Sequence, residues 1–221
     1  MSLDIETNES FKYRLEILDP ESKEFKLIKS FYETSTCEDR NKFYVNVVEF
    51  RISKVIENKE EHQAGSNNLM LFHGTEKKSV TGILDVGFKN STSGYFGGDA
   101  VYLTDCSYIA LNYSFSKDSS QTKHYFIFVN EVQIKIDDIK INDVHGFKKR
   151  VPNFIPTSSG CEKNIKKTSL QIQLNEYKQD EFGRLYRNIG VDPTSVNDEY
   201  CAKAEFVIPR YLISFEANLR N

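Results

Sequence analysis

One short stretch of the sequence places an imidazole and a glycine at the end of an apolar strand. Residues 69–72 are Leu-Met-Leu-Phe, and His73, Gly74 and Thr75 follow directly. A glycine lets a ligand approach the backbone closely, so its N–H and C=O could hydrogen-bond a planar carboxamide while the histidine bonds a ribose hydroxyl. The alternative is a structural histidine in a turn, with its hydrogen bonds satisfied inside the protein. Both interpretations stay open for this stretch alone.

Two tyrosines follow a glycine-rich loop at residues 94–98. Tyr102 and Tyr113 are eleven residues apart. A loop with three glycines can fold over a ligand, and two aromatic rings can sandwich a flat ring between them. Alternatively, the glycines form a plain turn and both tyrosines pack in the core.

An acidic pair, Asp198-Glu199, opens a strand near the end of the sequence. A carboxylate at a strand start that faces a cleft can bond a ribose hydroxyl, stabilise an oxocarbenium ion and polarise an attacking group. A solvated acidic turn explains the same residues without any chemistry.

Composition and missing motifs narrow the function. The 29 basic and 32 acidic residues give a net charge of −3, so the chain lacks the basic field of a protein that binds duplex DNA or anionic membranes by charge. The four cysteines form no CxxC pair, which argues against zinc and against a disulfide framework. No Walker A, GxGxxG, HExxH or GxSxG motif occurs. These absences remove the common triphosphate-binding, Rossmann, zinc-protease and serine-hydrolase interpretations.

The chain also lacks the features of a secreted or membrane-spanning protein. No stretch approaches the roughly 20 apolar residues that a membrane span needs. The N-terminus has neither the basic start nor the apolar region of a signal peptide. We expect an intracellular protein, nuclear or cytoplasmic, with no metal and no direct nucleic-acid or membrane partner.

The elements that must position these residues are mostly strands. Apolar periodicity predicts strands at residues 11–18, 42–56, 69–72, 101–104, 125–136, 199–208 and 210–215. The helices are predicted to begin at an Asp19-Pro20 cap, after Thr75 and at an Asp105 cap. The second is predicted to run through Leu84 and to be stopped by Gly87, and the third to end near Tyr113. Because few strand–helix–strand units occur, the class is α+β with largely antiparallel sheets.

One domain is expected over residues 1–221, with 1–10 as a flexible N-terminus. Residues 142–196 are polar and lack sustained periodicity. Loops of that length in a compact domain are usually functional covers or mobile segments.

In their order along the chain, these residues resemble the catalytic domain of the poly(ADP-ribose) polymerase family, the diphtheria-toxin-like ADP-ribosyltransferases with a His-Tyr-Glu triad. The resemblance covers nearly the whole chain and rests on the motifs HGT at 73–75, GIL at 82–84, GF at 87–88, VYL at 101–103, Tyr113 and Glu199-Tyr200. It implies an ADP-ribosyltransferase fold, in which two mainly antiparallel sheets form an NAD cleft with a few flanking helices. It further leads us to expect no helical regulatory domain in this chain.

The resemblance also implies a role for each matching residue. His73 would bond the adenosine ribose of NAD, Gly74 would hold the nicotinamide carboxamide through its backbone, and Thr75 would line the same part of the cleft. Gly82 would let NAD approach the helix, and Lys89 would lie near the adenosine.

The remaining three matches concern the reacting end of NAD. Tyr102 would flank the nicotinamide, Tyr113 would stack on its ring, and Glu199 would be the catalytic carboxylate. His73, Tyr102 and Glu199 together would form the triad, and no metal would take part.

The implied activity is cleavage of the nicotinamide–ribose bond of NAD, with transfer of ADP-ribose to acceptor proteins, possibly including this protein itself. Whether one unit or a polymer is transferred stays open. An alternative is a catalytically weak module that binds NAD or ADP-ribose and serves as an interaction domain. A third reading is an unrelated α+β binding domain.

Two departures from the family pattern bear on this choice. The family usually carries a Ser-Lys-Ser run between the tyrosines, and here Tyr108-Ile109-Ala110 takes its place. A serine donor to the carboxamide is therefore missing unless Ser107 or Ser114 substitutes, and a lost bond to a buried partner costs about 1–3 kcal/mol. Loss of the lysine, at Ile109, makes chain elongation less expected than single transfer. The loop before Tyr102 also differs in spacing, so its cover over NAD is expected to differ.

Overall fold

The computed structural model describes residues 3–5, 7, 9–35, 46–58, 68–92, 100–114, 122–133, 139–144, 147–152, 177–179, 184–187 and 199–218. For Asn46, Thr122, Glu199, Cys201, Asn218 and the described parts of 139–152 and 177–187 other than Arg184, the description covers the backbone alone. The glycine-rich loop at 94–98 lies outside these residues.

Three helices and eleven strands occur in the described residues. The helices are α1 (Lys23–Thr34), α2 (Lys77–Val86) and α3 (Ser107–Tyr113). The strands are β1 (Tyr13–Ile17), β2 (Asn46–Glu57), β3 (Leu69–Thr75), β4 (Val101–Thr104), β5 (Thr122–Val132), β6 (Ile139–Val144), β7 (Phe147–Pro152), β8 (Tyr177–Gln179), β9 (Leu185–Arg187), β10 (Glu199–Ala202) and β11 (Val207–Asn218).

The strands form one hydrogen-bonded network, so the expectation of two sheets is wrong, while the α+β class and the mainly antiparallel pairing are confirmed. The strand order is β1-β2-β11-β5-β3-β4-β10-β7-β6, with β9 beside β3 and β8 beside β9. A single register pair, Phe72 with Thr104, joins β3 to β4. This single pair links the strands β1, β2, β11, β5 and β3 to the strands β4, β10, β7 and β6. In the described residues β3 and β4 share no other register pair, so the two strands diverge on either side of it.

The two faces of the central strands carry different apolar clusters. Alternate residues of β5 point to opposite faces, so Ile127 packs on the side of α1 and α3 while Phe128 packs on the side of α2. On the first side Phe31 of α1 stacks on Phe72 of β3, with ring centroids 4.5 Å apart. Leu3 is buried in the α2-side cluster, which gives a packed position to part of the segment expected to be a flexible N-terminus.

Helix ends differ from the predicted ones where two capping residues compete. α1 begins after Ser22, whose side chain accepts a hydrogen bond from the N–H of Phe25, whereas Asp19 accepts from Glu21 in the preceding turn. α2 runs to Val86, two residues beyond the predicted Leu84, and Gly87 stops it as predicted. Gly87 has a φ of 87°, in the left-handed region that favours glycine.

Two strand predictions fail in the second half of the chain. Residues 142–196 contain β7, β8, β9 and part of β6 rather than one long loop. β10 and β11 are separated by a short 3₁₀ helix, Ala204–Phe206, and β11 runs through Pro209. The proline is tolerated because pairing with β2 begins only at Tyr211 and the ladder with β5 shifts register between Pro209 and Tyr211.

Candidate active site

A cavity of about 730 Å³ lies where β3 and β4 part. Such a volume falls within the usual range for a small-molecule site. All seven residues expected to contact NAD line it: His73, Gly74, Thr75, Gly82, Lys89, Tyr102 and Tyr113. The structure therefore brings together residues from β3, α2, β4 and α3 that are up to 40 positions apart in the sequence.

His73 is fixed across the gap between the two strands. Its Nδ1 lies 2.8 Å from the carbonyl oxygen of Tyr102. Because a carbonyl can only accept, Nδ1 carries the proton and donates it, which leaves Nε2 of the neutral ring as an acceptor. Burial lowers the pKa of His73 below its ordinary value of 6.5, although the hydrogen bond to Tyr102 opposes this shift. Phe88 packs edge-on against the imidazole, with ring centroids 5.1 Å apart.

Gly74 is required by the approach of α3 to β3. A β-carbon at this position would lie 1.5 Å from the carbonyl oxygen of Ala110 and 3.1 Å from the backbone nitrogen of Ser114. No larger residue fits unless α3 moves. The glycine thus has a structural reason in addition to the ligand contact expected from the sequence.

Neither serine considered as a replacement donor faces the cavity. The Ser107 side chain lies 3.4 Å from the carbonyl oxygen of Ser35, which also accepts the Ser107 N–H. The Ser114 hydroxyl donates to the carbonyl of Leu111 at 2.7 Å. Both serines are buried, and the α3 residues that line the cavity are Ile109, Ala110 and Tyr113. Tyr113 is 66% exposed.

Glu199 is placed by the pairing of β10 with β4. The register sets Glu199 opposite Thr104 and Cys201 opposite Tyr102. Residues directly opposite in an antiparallel ladder share a face of the sheet, so position 199 is on the face that carries Thr104 and Tyr102, both of which line the cavity. Tyr200 and Ala202 alternate to the other face, where they are buried in an apolar cluster.

Asp105 does not have its predicted capping role. The residue that precedes α3 is Cys106, whose N–H donates to the Thr104 hydroxyl oxygen at 3.0 Å. Asp105 is instead fully buried and accepts a hydrogen bond from the Tyr200 hydroxyl at 3.1 Å.

The cavity also contains residues that sequence reasoning missed. Ser79, Asp85, Val86, Ser91 and Thr104 line it. Helical spacing was an available signal for Ser79 and Val86, because they are three residues before and four residues after Gly82 and share its face of α2. Strand alternation was the corresponding signal for Thr104, two residues after Tyr102.

In the portion of the chain that the structure describes, no group of three or more His, Cys, Asp or Glu residues is arranged to hold a metal ion. Within the same portion, no helix is both long and apolar enough to cross a membrane.

Comparison with known proteins identifies the family. No curated protein matches the chain. A family model described as the poly(ADP-ribose) polymerase catalytic domain matches residues 22–216 and so includes every residue that lines the cavity. The chain therefore belongs to the poly(ADP-ribose) polymerase catalytic domain family.

Proposed function

We propose that this domain is an active ADP-ribosyltransferase that cleaves NAD between nicotinamide and ribose and transfers ADP-ribose to a protein acceptor. Family membership supports an ADP-ribosyltransferase-type function with NAD as substrate, although some members are inactive. The observation that carries the proposal is that one cavity, where β3 and β4 part, is lined by all seven residues expected to contact NAD. In this proposal residues 1–221 form one catalytic domain.

His73 binds the adenosine ribose of NAD, and Gly74 binds the nicotinamide carboxamide. Nε2 of the neutral His73 ring accepts a hydrogen bond from a ribose hydroxyl of the adenosine. Gly74 offers backbone N–H and C=O groups to the carboxamide. Gly74 lies two residues beyond Phe72, which forms the single register pair between β3 and β4. Gly82 lets NAD lie against α2, and Lys89, which is exposed, provides a cation near the adenosine.

Glu199 supplies the negative charge that stabilises the transition state. The bond from the ribose C1′ to the nicotinamide nitrogen breaks, its electron pair leaves with nicotinamide, and positive charge develops on the ribose. A carboxylate near the 2′-hydroxyl stabilises that charge. An acceptor side chain then attacks C1′ and releases its proton to Glu199 or to water. Tyr102 and Tyr113 flank the nicotinamide ring, which restricts it to the reactive orientation.

One observation favours a second candidate, a module that binds NAD or ADP-ribose with little catalysis. Ala110 has no hydroxyl, and the side chains of Ser107 and Ser114 are directed to backbone carbonyls outside the cavity. The carboxamide would then lack the side-chain donor that is usual in the family. A missing bond of this kind weakens NAD affinity about ten- to a hundredfold and does not forbid turnover.

The test compares wild type with Glu199→Gln. Each protein is incubated with labelled NAD, products are resolved on a denaturing gel, and NAD binding is measured separately by calorimetry. Glutamine keeps the size and polarity of the side chain, so binding should stay within about threefold while transfer is lost, since removal of one electrostatic group at the reacting atoms costs about 10²–10³ in rate. Glu33→Gln, at an exposed position of α1, is the matched control and should transfer as wild type does.

The gel pattern separates the remaining possibilities. A sharp labelled band in wild type establishes single transfer, whereas a high-mass smear establishes polymer synthesis. If neither protein is labelled although both bind NAD, the hypothesis of an active enzyme is rejected in favour of the binding module. Equal labelling of wild type and Glu199→Gln would show that Glu199 is not the catalytic carboxylate.

A further inference from the structure

A buried hydrogen bond joins the strand of Glu199 to the segment between β4 and α3. The Tyr200 hydroxyl lies 3.1 Å from Oδ2 of Asp105, and neither residue is exposed to solvent. The Tyr200 ring packs in an apolar cluster with Leu71 and Leu103. Since a carboxylate can only accept, the tyrosine hydroxyl is the donor.

This bond acts on a short strand at the site. β10 has four residues, which pair with β4 over their whole length but with β7 only at Tyr200. Alternation opposes a slip of one residue along β4, because Tyr200 would leave the apolar cluster and change faces. Alternation does not oppose a slip of two residues, which preserves the faces and moves each residue by about 7 Å.

The tyrosine–aspartate bond distinguishes the native register from that slip. A displacement of about 7 Å would take the Tyr200 hydroxyl out of reach of Asp105 and leave a buried carboxylate without this donor. The same displacement would carry Glu199 away from Thr104 and from the cavity. Asp105 directly precedes Cys106, the residue before α3, so the bond also links β10 to the start of the helix that carries Ala110 and Tyr113.

We propose that Tyr200 and Asp105 are positioning residues, whose hydrogen bond fixes the register of β10 and thereby holds Glu199 at the cavity. The catalytic consequence rests on the proposed transferase activity, whereas the fixed register does not. Tyr200→Phe removes the hydroxyl and keeps the ring. Asp105→Asn keeps an acceptor oxygen for Tyr200 and serves as the conservative variant.

The matched control is Tyr211→Phe. Tyr211 is likewise a buried tyrosine whose hydroxyl donates to a carboxylate, that of Glu24 at 2.7 Å, and it does not line the cavity. The Tyr211 hydroxyl also accepts a hydrogen bond from the buried Arg184 at 3.3 Å. Loss of this hydroxyl should therefore destabilise the protein at least as much as loss of the Tyr200 hydroxyl, without touching β10. A fall in activity that came only from general destabilisation would therefore appear in both variants.

The first measurement is backbone hydrogen exchange in the full chain, which needs no activity. Tyr200→Phe should speed exchange of the amides of residues 199–202 by about tenfold or more relative to wild type, and Tyr211→Phe should leave them unchanged. Unchanged exchange at 199–202 in Tyr200→Phe would overturn the proposal, even if wild type proves inactive toward NAD.

The second measurement is steady-state kinetics of NAD cleavage. Tyr200→Phe should lower kcat about tenfold to a hundredfold with KM within about twofold, because molecules in which β10 has left its register lack Glu199 at the reacting atoms, and even a displacement of about an ångström has an effect of this size. Asp105→Asn should retain kcat within about threefold, and Tyr211→Phe should match wild type. Equal kcat in Tyr200→Phe and wild type, or equal losses in Tyr200→Phe and Tyr211→Phe, would contradict the positioning role. Absence of cleavage in wild type would instead refute the proposed function, and the exchange result would still decide whether the bond fixes β10.

Discussion

Replacement of Gly74 by alanine should damage both stability and activity, because α3 passes directly over this residue. The added β-carbon would lie 1.5 Å from the carbonyl oxygen of Ala110 and 2.5 Å from its carbonyl carbon. A carbon and a carbonyl oxygen normally approach no closer than about 3.3 Å, so α3 and β3 must separate by about 1.8 Å. The obstructing atoms belong to the backbone, so rotation of a side chain cannot relieve the contact.

The size of the effect follows from that displacement. Overpacking typically costs about 1–3 kcal/mol, and a backbone obstruction belongs at the upper end of this range. In a chain of this length each kcal/mol shifts Tm by about 2–4 °C, so we expect Tm to fall by about 6–12 °C. Since α3 carries Ala110 and Tyr113 in the cavity wall, movement of more than 1 Å should also lower kcat/KM for NAD about a hundredfold.

Gly82→Ala is the control that makes this test specific to the contact. No atom lies within 4 Å of a β-carbon at position 82, which is an exposed helical residue, so alanine should stabilise the protein by about 0.5–1 kcal/mol. Thermal unfolding and NAD cleavage are measured for both variants. A Gly74→Ala protein that loses less than about 1 kcal/mol, or a Gly82→Ala protein destabilised as strongly, would refute the reasoning. Weaker NAD binding by Gly82→Ala alone would support the expected approach of NAD to α2.

Two further predictions concern the cavity. Ala110→Ser should lower the Kd of a benzamide-type carboxamide inhibitor about two- to tenfold in a fluorescence binding assay, because it restores a hydrogen-bond donor in the cavity wall. An unchanged Kd would mean that the serine hydroxyl bonds back to a helix carbonyl or that the carboxamide lies elsewhere. The pKa of His73 is lower in the folded protein than its ordinary value of 6.5, so between these two pKa values the unfolded chain binds a proton at this residue and the folded protein does not. The contribution of His73 to the free energy of unfolding is therefore complete above pH 6.5 and declines as the pH falls toward the folded-state pKa. Chemical denaturation from pH 7.5 to 5 should show this slope, of at most about 1.4 kcal/mol per pH unit for one group, and His73→Gln should reduce it; an equal slope in the variant would assign the effect to other groups.

Elements whose signal is local could be predicted closely from the sequence. β4 has the predicted bounds, Val101–Thr104, and Gly87 stops α2 as predicted. Both depend on residues next to each other in the chain, either an apolar run or a glycine with positive φ. By contrast, residues 142–196 gave no strand signal, although β7 lies within them. β7 has the sequence Phe-Lys-Lys-Arg-Val-Pro, and charged strands of this kind are common near sheet edges, where they lack the alternation of a buried face.

Boundaries failed where the outcome depends on competition between neighbours or on distant pairing. Asp19 and Ser22 are both good capping residues, and their spacing alone does not determine which one begins α1. Pro209 suggested a break between two strands, and pairing is irregular there on both sides of β11. The ladder with β2 begins only at Tyr211, and the ladder with β5 shifts register between Pro209 and Tyr211. β11 is nevertheless continuous, because it pairs with β5 both before and after the shift. That continuity depends on a strand about 80 positions away in the sequence, which no local pattern contains.

The site residues carry unequal information about function, and the reason is structural. Gly74 is demanded by the backbone of α3, so an active transferase and a mere binding module with this fold would both require it. The hydrogen bond from His73 to the Tyr102 carbonyl joins β3 to β4, and this structural role would be the same in a transferase and in a binding module. At position 199 the described ladder uses only backbone groups, which any residue except proline can provide. A carboxylate there is not required by the pairing of β10, and its presence is therefore the stronger argument for catalysis.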